Sequence, residues 1–60
     1  SNMATLKDKM KISAENNLKE YEKLLQALKC SNVSNKEQRI KDCEHAIKKQ
    51  KQILSNLKHY

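Results

Sequence analysis

The sequence predicts an all-α fold: an antiparallel two-helix hairpin, a short coiled coil, that assembles into a four-helix arrangement. Three observations predict it. The 60 residues include no Gly and no Pro, and aromatic residues make up only 3%, so the turn residues and β-formers of a sheet protein are missing. Apolar residues recur at spacings of three and four along two long segments, which is the period of a helix face. Between those segments lies one polar, helix-poor run, Cys30-Ser31-Asn32-Val33-Ser34-Asn35.

The first helix is expected over about residues 5–29. Its stripe is Met3, Leu6, Met10, Ala14, Leu18, Tyr21, Leu25 and Leu28. The middle of this stripe advances in consecutive steps of four, which departs from a strict heptad and predicts weaker supercoiling there. A loop is expected over about 30–34, with Asn32 as a left-handed residue closing the first helix. Ser34-Asn35-Lys36-Glu37 reads as a capping box that opens the second helix. That helix is expected over about 35–59, with the seam Ile40, Cys43, Ile47, Gln50, Leu54 and Leu57. One unbroken helix is disfavoured, because the first stripe continued past Leu28 meets Asn32, Asn35, Arg39 and Asp42, all polar.

A short loop makes the two helices antiparallel neighbours. One register then places Leu28 opposite Ile40, Leu25 opposite Cys43, Tyr21 opposite Ile47, Leu18 opposite Gln50 and Ala14 opposite Leu54, with Leu57 beside Met10 and near Lys11. The predicted hairpin core is Leu18, Tyr21, Leu25, Leu28, Ile40, Cys43, Ile47, Leu54 and Leu57. Gln50 is its polar member and a candidate for fixing register or oligomer state.

Apolar residues remain outside this seam. Ala46, Ile53 and Tyr60 repeat every seven residues, Leu24 flanks Leu25, and Ile12 lies off the stripe. A widened stripe is typical of a helix that packs on more than one neighbour. These five residues are the predicted partner interface, and the expected partner is a second copy, with a dimer favoured, or another helical protein. A domain below roughly 70–80 residues usually needs a staple or a partner to be stable.

Enzymatic, cofactor and metal chemistry are not expected. Cys30, Cys43, His45 and His59 have no zinc-site spacing, and two helices offer no pocket that excludes water. Two cysteines without a CxxC motif, and no secretory or membrane-spanning segment, point to an intracellular compartment, cytoplasmic or nuclear. Ser1 and Asn2 before Met3 read as a tag remnant, residues 3–60 as a single module, and the chain as a fragment of a larger protein.

The formal net charge is +6, and residues 31–60 carry seven basic against three acidic side chains. Lys48, Lys49, Lys51 and Lys58 form a candidate basic patch. Lysines neutralise phosphates without reading bases, so electrostatic binding of nucleic acid or an anionic membrane surface ranks below protein–protein interaction. In outline the predicted hairpin resembles helical modules that bind small GTPases or dimerise larger proteins, with no motif specific to any such family. The leading expectation is therefore a non-enzymatic oligomerisation module. A hairpin that presents its second stripe to a small GTPase or another helical protein is the alternative.

Overall fold

Thr5 sets the start of the first helix. In the computed structural model, which describes residues 4–60, its hydroxyl accepts from the Asp8 amide and the Asp8 carboxylate accepts from the Thr5 amide, both at 3.1 Å. This reciprocal capping box satisfies two of the amides that a helix leaves without internal partners. Helix α1 then spans Leu6–Lys29. Ser1 and Asn2, expected to be a tag remnant, and Met3, expected at the head of the stripe, lie outside the described residues.

The chain reverses between α1 and the second helix, by a route that differs from the predicted one. Asn32 is not left-handed; the positive φ among the described residues belongs to Asn35, with φ 57° and ψ 34°. Helix α1 closes instead at Cys30, with φ −94° and ψ −1°, whose amide donates to the Gln26 carbonyl. The Leu28 carbonyl accepts from the Ser31 amide at 3.2 Å and the Ser31 hydroxyl at 3.1 Å, and the Lys36 ammonium donates to the Lys29 carbonyl at 2.9 Å. With these terminal carbonyls already accepting, no left-handed residue is required at that end.

Helix α2 spans Lys36–Leu57. The predicted capping box at Ser34 does not form: Asn35 is the N-cap and makes no side-chain cap bond. The reversal needs a left-handed step immediately before α2, and asparagine is a non-glycine residue that takes it at low cost. That step moves the cap one residue past Ser34. At the other end the amides of Lys58, His59 and Tyr60 donate to carbonyls three residues back. This tighter winding ends α2 at Leu57, two residues short of the expected His59.

The two helices pack against each other as a hairpin. The molecule measures 49 × 20 × 11 Å with a radius of gyration of 14.4 Å, against roughly 10 Å for a globule of this length. Its thinnest dimension is that of one helix. A single layer cannot surround a side chain from all directions, so the buried core is small: Ala14, Leu28, Cys43 and Leu57. The other predicted core residues, Leu18, Tyr21, Leu25, Ile40, Ile47 and Leu54, are half-buried, as is Gln50. The Cys43 thiol donates to the Tyr21 carbonyl at 3.2 Å, one turn from Leu25, the residue expected opposite it.

The first-helix stripe does not hold along its whole length. Leu6 is 66% exposed and Met10 39%, whereas Ala14 is 3% exposed. Each step of four residues overshoots a full turn by about 40°. Going outward from Leu18, successive steps carry Met10 and then Leu6 out of the seam. The same rotation places Lys7 and Lys11 around one concavity with Leu54 and Leu57, with Leu57 near Lys11 as in the expected register, while Met10 lines another concavity.

Candidate functional site

At 3.6 residues per turn, Met10, Asn17, Tyr21, Leu24 and Leu28 of α1 fall along one side of the helix, as do Arg39, Asp42, Ala46, Gln50 and Ile53 of α2. Packing joins the two rows into one broad side of the hairpin. Two shallow concavities lie along it. The one nearer the loop is lined by Tyr21, Leu24, Leu28, Arg39, Cys43 and Ala46, among others. The one nearer the open end is lined by Met10, Ala14, Asn17, Gln50 and Ile53 together with Lys9 and Ser13.

This side brings together three of the five residues predicted as a partner interface. Leu24 is 48% exposed, and Ala46 and Ile53 are half-buried. Tyr60 and Ile12 stand apart. The seven-residue repeat of Ala46, Ile53 and Tyr60 is cut because α2 ends at Leu57, leaving Tyr60 beyond the helix and 75% exposed. Ile12, 54% exposed, lies roughly 120° around α1 from Leu24. Met10, Asn17 and Arg39 join the face without having been singled out for it. The signal was present, since Met10, Asn17 and Leu24 are seven residues apart.

Gln50 shares a concavity with Asn17. The side-chain amide bonds that form run instead along α2, from Gln38 to Asp42 at 2.9 Å and from Gln52 to Asn56 at 3.0 Å.

The predicted basic patch is divided. Lys48 and Lys49 line a shallow depression with His45, Ala46 and Gln52. Lys51 is exposed on α2, and Lys58 belongs to a different concavity at the open end, with Lys7, Lys11, Glu15, Leu54 and Leu57. The two ends of the described chain meet there, where the Lys7 ammonium lies 3.5 Å from the backbone oxygen of Tyr60.

The carboxyl of Asp8 is clearly perturbed by its cap. The Thr5 amide donating to its carboxylate holds it below the usual carboxylate range, helped by the Thr5 hydroxyl, opposed by desolvation, and helped further by the charges of Lys11 and Lys7. Its chemistry is thus spent on capping α1.

Cys30 is exposed, Cys43 is buried, and both are free thiols. Among the described residues no group of three or more His, Cys, Asp or Glu is placed to hold a metal ion, and no helix is long and apolar enough to cross a membrane. What the arrangement offers is surface: one apolar side with polar interruptions, and one basic end. No family model, curated protein or solved structure matches this chain.

Proposed function

We propose that this chain is a non-enzymatic self-association module of an intracellular protein, acting by burial of helix faces, with a dimer as the working state. The observation that carries this reading is the broad side on which Met10, Leu24, Ala46 and Ile53 remain partly or largely uncovered. Stable domains stack at least two layers of secondary structure around a core, and this hairpin has one. A second copy laid on that side would supply the missing layer and give four helices around a shared apolar centre. Gln50, Asn17, Arg39 and Asp42 would then border or interrupt the interface, and polar groups in such places select register at some cost in stability.

Sedimentation velocity from micromolar to millimolar concentration tests this. A reversible dimer is expected. Ile53→Asp, or Leu24→Glu at the more exposed position, should keep the helical circular dichroism and weaken dimerisation by about 100-fold, the effect of burying an unpaired charge at roughly 2–3 kcal/mol. A stable, cooperatively melting monomer at high micromolar concentration would overturn self-association.

A further inference from the structure

We propose that the open end of the hairpin is a second binding surface, fitted to an acidic amphipathic helix of another protein. Folding brings together two basic segments that are far apart in sequence. Residues 4–18 and 48–60 hold seven lysines against Asp8 and Glu15, whereas residues 19–47 hold six basic and five acidic side chains. Most of the excess charge therefore sits on the half remote from the loop.

The concavity there combines that charge with an apolar floor. Its volume is about 390 Å³, room for one or two apolar side chains, and both helices line it. Half-buried Leu54 and buried Leu57 form the floor, while Lys7, Lys11 and Lys58 stand around it. Helix α1 presents Lys7 and Lys11 at this end because its stripe has rotated out of the seam, and their flexible amphipathic stems line the concavity beside the α2 leucines. Such stems can swing aside for a leucine or methionine and leave their ammonium groups at the rim.

Among the described residues the ammonium groups of Lys11 and Lys58 pair with no side-chain carboxylate, and that of Lys7 donates to the backbone oxygen of Tyr60. The ion pair found among the described residues, Glu20 with Lys23 at 3.5 Å, lies in the other half of the hairpin. Asp8 is occupied by the Thr5 amide. Glu15 lines the concavity on the side toward the loop, one turn beyond Lys11. It would repel an acidic side chain there and so orient the incoming helix with its carboxylates toward Lys7, Lys11 and Lys58.

The apolar floor separates this occupant from other polyanions. A nucleic acid backbone presents phosphates and sugars, with nothing apolar to enter between Leu54 and Leu57. An anionic bilayer is flat on this scale and favours an amphipathic helix lying along it, whereas this site is a concavity between two helices. An acidic amphipathic helix offers carboxylates and apolar anchors on one face.

The experiment is an anisotropy titration of the full chain with a fluorescein-labelled peptide of leucine and glutamate at helical spacing. Controls are a glutamate-only peptide, a leucine–lysine peptide, oligothymidylate and phosphatidylserine vesicles. The leucine–glutamate peptide should bind at least about tenfold tighter than every control. The double variant Lys11→Glu/Lys58→Glu should lose at least about tenfold in that affinity, with helicity and sedimentation unchanged. Amide shift mapping on the unmodified chain should place the peptide at Lys7, Lys11, Leu54, Leu57 and Lys58. No binding of the leucine–glutamate peptide, equal or tighter binding of oligothymidylate or vesicles, or a footprint along Leu24 and Ala46 would each overturn the proposal. Because the charge reversals lie away from the broad apolar side, a change in sedimentation alone would bear on self-association and not on this site.

Discussion

Single residues decide where the helices begin. Thr5 and Asp8 satisfy each other's amides, and Thr5→Ala should destabilise the chain by about 1 kcal/mol, the usual effect of losing a side-chain cap, measured by urea denaturation. The same pair sets an acid limit. Folding lowers the Asp8 pKa, so its contribution is fully present above the ordinary carboxylate value and is lost as pH falls below about 4 and passes through the folded pKa. Asp8→Asn should remove this part of the acid dependence, read as a smaller drop in melting temperature on acidification. Asn35 acts through its backbone. It is left-handed and makes no cap bond with its side chain, so the conformation is what matters there. Asn35→Ala should be less stable than Asn35→Gly by about 1 kcal/mol, with the ordering read from chemical denaturation midpoints.

At the scale of the element, the rotation of the α1 stripe explains which leucines matter. Leu6 and Leu28 belong to the same apolar series in sequence, yet Leu6 is 66% exposed and Leu28 8%. Leu28→Ala should cost about 2–4 kcal/mol through lost burial and an unfilled space. Leu6→Ala should stay within about 0.5 kcal/mol, as expected of a surface substitution. Equal losses in the two variants would mean that the stripe does not rotate out of the seam. Helix α2 keeps its seam better because Ile40, Cys43, Ile47, Gln50, Leu54 and Leu57 alternate spacings of three and four, which holds a side-chain row nearly in line.

For the whole molecule, the governing fact is thickness. With an 11 Å short dimension, the hairpin buries four of the described residues well and leaves both broad sides to solvent. Self-association would add the second layer, and by mass action the melting temperature should then rise with protein concentration. Charge is also a property of the whole. Lys7 and Lys11 lie near one end of the sequence and Lys58 near the other, and they line one concavity only because the helices run in opposite directions. The division of Lys48 and Lys49 from Lys58 has another origin, since nine residues on from Lys49 a helix has carried the side chain about half a turn around its axis.

How far the sequence could be read follows from which effects are local. Helical periodicity, the absence of Gly and Pro and the polar interruption at 30–35 determined that the chain is two helices folded back on each other, because these features act within a few turns. The Thr5–Asp8 box was legible as a Thr-x-x-Asp pattern, though nothing singled it out among other polar residues. The position of the left-handed residue was not legible. Asn32 and Asn35 are chemically the same, and only the path required to dock α2 on α1 selects between them. Nor did the sequence determine which end of the first stripe leaves the seam, which apolar residues share a face, or where the lysines gather. Those depend on the rotation of each helix about its own axis against its neighbour, a quantity that exists only once the two are packed.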